Sequence, residues 1–427
     1  MAIFKVDEYT DIIGPSIRML GPIKSGDSIS TLVPPGCWGP MITPNIKSGH
    51  EVSLPVAIED AHPGDAVAII VKEIKMESRY TSSGNSIPIN QRFGHDPTVD
   101  AICPNCKTKN PNTYVSGIGE ESIRCSVCDE TVLPQKIGNG YTLIFNDEKT
   151  IGISVPKQTA ENIANNISDD QPLPKNSKQH HVNILAKSDI QNLITRVHLM
   201  IGNIGLIPNK NIPSSRNAGD TLASLTRLPE FYDVDKTDLT DAHMDINTVT
   251  EKSIIIAPVK VKGGGLYIGD VHSVQGNGEL AGHTADVTAC VTVEIHLIKN
   301  LPLDGPIIIP TAQNLNPIFQ PISVDEYKKS EELAKEYGFA LSEKSYPVQF
   351  VGSGNTLNEA IDNAIERAEQ ATNLTASELR NRATVTGSVD IGRTSGVVYI
   401  SMMLPESILR KMKIEQYVLN QYKTNNT

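Results

Sequence analysis

Short apolar runs broken by turn-forming residues dominate the first three quarters of the chain. VSLPVAI, DAVAIIVKEI, YTLIFN, IGISV, SIIIAPVKV and VTACVTVEIHLI are rich in β-branched residues. Runs of that length and composition favour strands over helices. Between them stand HPGD, NDEKT, KGGG and GNG, clusters that let the backbone reverse. The pattern predicts mainly antiparallel β structure in sandwiches or barrels. Two stretches, LPVAIEDAHPGDAVAI and APVKVKGGGLYIGDVHSV, share an apolar-Pro-Val strand, a turn and a second strand near a Gly-Asp pair. Read together they suggest a duplicated β unit.

The periodicity changes near the C-terminus. SVDEYKKSEELAKEYGF opens with a Ser-Val-Asp-Glu capping pattern and predicts a helix. TLNEAIDNAIERAEQATN places Leu357, Ala360, Ile361, Ala364, Ile365 and Ala368 on one helical face, with Thr356 as its N-cap. TASELRNRATV predicts a further short helix and GVVYISMMLP a buried strand. The fold class expected is mainly β with an α+β C-terminal part. Its units are an N-terminal β subdomain over 1–165, a second β subdomain over 180–320, an α+β subdomain over 321–415 and a loosely held tail over 416–427. The polar, Pro-bearing segment from Ile163 to Gln179 reads as a linker or exposed loop, and the carboxylate-rich stretch from Asn209 to Asp241 as loops around a site or interface.

Composition narrows the functional classes. The 427 residues exceed what one compact core usually serves. A formal net charge of -11 leaves no excess of Lys and Arg to displace phosphate counterions, which argues against a nucleic-acid binder. No apolar run approaches the length needed to span a bilayer. The N-terminal MAIFKVDEYTD lacks the basic-then-apolar order of a signal peptide, so a cytoplasmic protein is expected.

Six cysteines divide into two groups. Cys103, Cys106, Cys125 and Cys128 form two CxxC knuckles at a spacing suited to one tetrahedral zinc. Four thiolates leave no place for water, so this expected zinc ribbon, an insert over about 99–134, is structural and helps fold a segment too small for its own core. Lys107, Lys109 and Arg124 are balanced by Glu120, Glu121, Asp129 and Glu130, so no basic stripe marks a nucleic-acid module. Cys37 and Cys290 stand alone in the sequence, without an evident His partner, and no Gly-x-Ser-x-Gly nucleophile motif is present.

The densest chemistry lies in GGGLYIGDVHSVQGNGELAG, Gly263 to Gly282. Asp270, His272, Gln275 and Glu279 are set among glycines directly after a strand-like run. Gly49-His50, His62-Pro63-Gly64-Asp65 and His243-Met244-Asp245 add acids and histidines at turn positions. Taken in order, these segments resemble the acetamidase/formamidase family of metal-associated amidases. GHEVSLPVAIEDAHPGDAVAIIVKEI is similar to that family's N-terminal stretch, MIGNIGLIP to its Ile-Gly strand, and GGGLYIGDVHSVQGNGELAG to its most diagnostic motif. TLNEAIDNAIERA and TGSVDIGRTSGVVYISMMLP are similar to its ending. DAHMDIN resembles its Asn-Met-Asp turn with His243 in place of Asn, and the preceding glycines are gone. The CxxC insert is foreign to the pattern, Gly-Asp-Gly-Glu has become Gly276-Asn277-Gly278-Glu279, and His283 displaces a Thr.

The resemblance implies an amidohydrolase acting on a small linear amide, β-sandwich or barrel subdomains of that family's type, and a homo-oligomer. Asp245, Asp270 and His272, with His50 as a further ligand, are expected to hold a second divalent metal of unspecified identity. Metal activation of water would supply the nucleophile and polarise the carbonyl. Glu279 is then the general base, and Gln275 the residue that orients the substrate amide. The competing expectation is a non-catalytic binding or assembly protein that retains only the zinc of the ribbon.

Overall fold

The computed structural model describes residues 3–38, 43, 46, 49–88, 102–109, 111–133, 135–167, 172–222, 231–394 and 396–423. The parts of the expected insert, linker, carboxylate-rich stretch and tail that fall between these ranges lie outside the described residues. The chain is mainly β, as its apolar alternation predicts. One nine-stranded sheet has the order Ile3–Val6, Ser28–Val33, Ala289–Ile298, Ala66–Met76, Ile254–Pro258, Ile307–Ile309, Ser345–Ser353, Val397–Pro405 and Ser388–Arg393. Strands from all three expected units share this sheet, and the boundaries near 165–180 and 320 do not divide it.

Period-two alternation explains the layering. Val67, Ile69 and Val71 of one central strand, and Ile255 and Ala257 of its neighbour, face one apolar core. Ala66, Ala68, Ile254 and Ile256 face another. The first core is closed by a four-stranded sheet in the order Met200–Leu206, Leu266–His272, Val56–Ile58 and Leu20–Ile23, which contributes Ile201, Ile204, Ile268 and Val271. The second is closed by C-terminal helices. Leu357–Thr372 begins where Thr356 Oγ1 accepts from the Glu359 amide, and it buries Ala360, Ala364, Ile365 and Ala368. Val324–Glu336 carries the capping box that Ser323 and Glu326 predict.

Three expectations change. The two similar stretches run in opposite senses between the sheets. Val56–Ile58 lies in the four-stranded sheet and leads to Ala66–Met76 in the nine-stranded one, whereas Ile254–Pro258 and Leu266–His272 reverse that order. Val56 pairs with Leu266, and Ala66 with Pro258, so the arrangement is a reciprocal crossover of strands that occupy different sheets. The polar segment before Gln179 is not a free linker. It begins as the helix Lys157–Asn165, and its distal end is pinned where Glu51 Oε1 accepts from the Lys178 amide and Gln179 Nε2 donates to Pro35 O.

The described part of the tail, through Lys423, is not loose either. Glu415–Lys423 is a helix, and Ile414, Val418 and Tyr422 enter the second core. Their spacing of four residues places them on one face, so apolar burial holds this helix in place. Tyr422→Ala is expected to destabilise the protein by about 3–5 kcal/mol through the cavity it leaves. Chemical denaturation of the variant beside wild type measures this.

Candidate metal and catalytic centre

The four-stranded sheet carries the centre. Asp270 lies within Leu266–His272, yet its φ is +61°, a left-handed backbone inside a strand. Pairing with Met200–Leu206 runs through Val271–Ile201 and Gly269–Asn203, leaving Asp270 beside Gly202. Asp245, at φ +49°, and Glu279, at φ +41°, share this sparsely populated conformation. Three non-glycine residues in that region, all acidic and buried, mark a backbone held in place by its surroundings. The holding contacts are specific. The amides of Met244 and Asp245 both donate to Gly202 O, and Gly278 N donates to Ile391 O.

Glycine is required on both sides of the Asp270 carboxylate. A Cβ on Gly36 would lie 1.9 Å from Asp270 Oδ1, and one on Gly202 would lie 2.8 Å from Asp270 Oδ2 and 2.3 Å from Asp245 Oδ1. The carboxylate is thereby packed against bare backbone and faces a ring of histidines. His50 Nδ1 is 3.5 Å from Asp270 Oδ2, His243 Nε2 is 3.7 Å from the same oxygen and 3.0 Å from Asp245 Oδ2, and His272 Nε2 is 3.0 Å from Asp270 Oδ1. Sequence reasoning expected Asp270 and His272 to share a face because residues two apart do so on an extended strand. They do meet, although the left-handed Asp270 departs from that geometry.

The structure therefore brings together His50, Asp245, Asp270 and His272, the expected metal ligands, with Glu279 buried beside them. His62 stays apart. Its amide donates to Asp65 Oδ2, and Asp65 accepts from Lys299 and Asn300, which makes that segment a turn anchor. Gln275, expected to orient a substrate amide, is hydrogen-bonded by the protein itself. Its Oε1 accepts from His272 Nδ1 at 2.8 Å, and its Nε2 donates to Asp245 O and Gly392 O. Both ends of the Gln275 amide are thus engaged within the protein, one of them on the His272 ring. Gln275→Leu is expected to weaken divalent-ion affinity at the cluster by about 10–100-fold, read by metal titration of the purified variant.

Four further residues complete the centre. Asp286 Oδ1 is 3.5 Å from His272 Nε2, and its Oδ2 accepts from the Cys37 amide at 2.9 Å. Cys37 Sγ is 3.4 Å from His50 Nε2, so the cysteine that stands alone in sequence has a histidine partner in space. His243 donates from Nδ1 to Ser215 O at 2.5 Å. Arg393 lies between Asp220, with Nη2 to Oδ1 at 2.8 Å, and Asp245, with Nε to Oδ2 at 3.4 Å. The polar stretch after Asn209 thus supplies the floor of the site through Ser214, Ser215 and Asp220. The sequence signal for Arg393 was its place in DIGRTSG, a glycine-flanked arginine within a stretch already matched to the family. Asp286 carries no such signal.

Burial and crowding perturb the acids. Burial, then the charge of Asp245, holds Glu279 well above the usual carboxylate range. Burial, only partly offset by His272, pushes Asp286 up to about 8. Against burial, the neighbouring His50 and His272 keep Asp270 well below that range. Buried oxygens of Asp245, Asp270, Glu279 and Asp286 make no hydrogen bond. Donor atoms of His243, Asp245 and Asp270, of Asp270, His272 and Asp286, and of Cys37, His50 and Asp270 converge in three groups, each within 4.8 Å. Buried anionic oxygens without donors, facing imidazole nitrogens, fit a divalent cation.

The second cluster stands on the two knuckles. Cys103 Sγ is 3.4 Å from Cys128 Sγ, and Cys106 Sγ is 3.8 Å from Cys125 Sγ. After each knuckle comes a left-handed residue, Lys107 and Asp129, whose amide donates back to the O of Cys103 and Cys125. Two matched turns aim four sulfurs at one point, the donor set of a tetrahedral zinc. Cys103, Cys125 and Ile123 share an apolar cluster with Cys37 and Trp38, and the Trp38 ring lies 5.8 Å from that of His283. The four-cysteine segment is therefore packed against the wall of the acidic centre.

The protein is thus a mainly β fold whose buried carboxylate–histidine cluster could hold a metal ion. The chain belongs to the acetamidase/formamidase family, whose model matches residues 38–238 and 234–411. It is similar to the solved structure of a predicted acetamidase/formamidase from Thermoanaerobacter tengcongensis, with 16% identity, a TM-score of 0.53, and coverage of 96% of this chain and 98% of that one. It is similar as well to an acetamidase from Yersinia enterocolitica, at 15% identity, TM-score 0.53 and coverage of 96% and 93%. An acetamidase from Bacillus halodurans gives 13%, 0.52, and 96% and 99%. At these identities the likeness shows the fold. No curated protein matches the chain. Among the described residues no helix is long and apolar enough to cross a membrane.

Proposed function

We propose that this protein hydrolyses a small linear amide, of the formamide or acetamide kind, to carboxylate and ammonia. The observation that carries the reading is that Asp245 of one motif and Asp270, His272 and Glu279 of another lie in one buried cluster, each acid with one oxygen that makes no hydrogen bond. A divalent ion held by His243, Asp245 and Asp270, whose donor atoms converge, would lower the pKa of a water and polarise the amide carbonyl. With the charge of such an ion offsetting its burial, Glu279 would act as a carboxylate, take the proton of the attacking water and return it to the departing nitrogen. Gln275 and Ser215 fix the ring orientation of His272 and His243. Arg393 holds Asp245 and balances part of the negative charge. The four cysteines hold a structural zinc, and the ribbon it organises backs the Cys37–Trp38 wall. The site would sit in a β-sandwich subdomain, and a homo-oligomer is the proposed assembly.

Ammonia release from formamide and acetamide by the metal-reconstituted protein tests the reading, beside elemental analysis of wild type and a Cys103→Ser/Cys106→Ser variant. Turnover, with ions beyond the zinc of the four cysteines, is the expected result. No turnover, and a single ion that vanishes with the cysteines, would instead favour a non-catalytic scaffold.

A further inference from the structure

The centre offers more ligand atoms than one ion uses, and they are arranged around a single carboxylate. Asp270 Oδ2 faces His50 and His243, while Asp270 Oδ1 faces His272. The tautomers of two of these rings are fixed from outside. Ser215 O can only accept, so His243 Nδ1 carries the proton in that bond. Gln275 Oε1 likewise accepts from His272 Nδ1, because the other end of the amide donates to two carbonyls. Each ring then turns Nε2 to a carboxylate oxygen, at 3.0 Å for His243 with Asp245 and 3.0 Å for His272 with Asp270. Two lone pairs facing each other at that distance need a cation between them, or a proton on the ring. Histidines oriented by such partners are the usual setting of a metal ligand.

The two Nε2 atoms lie on opposite sides of the Asp270 carboxylate, and each has its own second carboxylate. Asp245 belongs to the His243 side, and Asp286 to the His272 side. Four buried acids, Asp245, Asp270, Glu279 and Asp286, crowd the centre, and Arg393 contacts Asp245.

We propose that Asp270 bridges two divalent cations, one held through Oδ2 with His243 and Asp245, and a second held through Oδ1 with His272 and Asp286. This rests on the hydrolytic reading above and adds to it a second ion and a role for Asp286. A donor set of imidazoles and carboxylates suits first-row dications such as zinc, manganese or cobalt. Paired ions of this kind clamp both the attacking and the leaving atom of a hydrolysis.

The test loads the full-length zinc-bearing protein with Mn(II), counts zinc and manganese by elemental analysis, and records the EPR spectrum. One zinc and two manganese per chain with a spin-coupled spectrum is expected. In Asp286→Asn one manganese should remain, with an isolated Mn(II) signal. The wild-type spectrum stands without the variant, should the substitution disturb folding. One manganese in wild type, or two without coupling, overturns the bridge and leaves the single-ion hydrolytic reading intact. No manganese beside the zinc overturns both.

Discussion

Asp270→Asn is expected to strip the centre of its ions and lower kcat/KM for formamide by about 10³-fold or more, roughly 4 kcal/mol of transition-state stabilisation. The substitution is chosen for the backbone as much as for charge. At φ +61°, asparagine is among the few residues that tolerate the conformation, whereas alanine would add strain. The amide also fills the space between Gly36 and Gly202 that the carboxylate occupies. Folding should survive, because loss of the ion pairs with His50 and His272 is offset by relief of repulsion from Asp245, Glu279 and Asp286. Metal content and ammonia release, measured on the same preparation, check the result. Full activity in a metal-free variant would remove Asp270 from the mechanism.

Glu279→Gln separates binding from proton transfer. Loss of a general base costs about 10²–10⁴ in rate. Here kcat should fall by that amount while KM and ion content hold close to wild type. An interaction made only in the transition state lowers kcat and kcat/KM together. Glutamine keeps the size of the side chain at its left-handed position and removes one buried charge from a crowded site. Steady-state kinetics on formamide decide the matter. A rise in KM with kcat unchanged would assign Glu279 to substrate binding and not to proton transfer.

Much of this centre could be read before any coordinates. The two CxxC knuckles declare themselves by spacing alone, and Thr356 and Ser323 announce helices that begin where they predict. The motif from Gly263 to Gly282 placed Asp270, His272 and Glu279 together because they are close in sequence. What stayed hidden was brought in by the sheets. Asp286 reaches the site through an isolated bridge with His272, and Arg393 through one with Gly278, over 100 residues away. Cys37 meets His50 only because the loop after Ser28–Val33 folds across the Asp270 carboxylate. Asp270 itself defeats strand alternation, since periodicity assumes the extended backbone it lacks. The final helix had a legible apolar spacing at Ile414, Val418 and Tyr422, masked by the polar residues between and after them.

The order of strands in the large sheet also sets the timetable of folding. Ala289–Ile298 is inserted between Ser28–Val33 and Ala66–Met76, pairing with both across more than 200 positions of chain. Until the ribosome has released Ile298, each of those early strands presents an unpaired edge. Such long-range closure is slow and leaves apolar edges open in the nascent chain. Fragments that stop short of this strand should collect in the insoluble fraction, and the intact chain should gain in yield from slower synthesis at low temperature or from a holding chaperone.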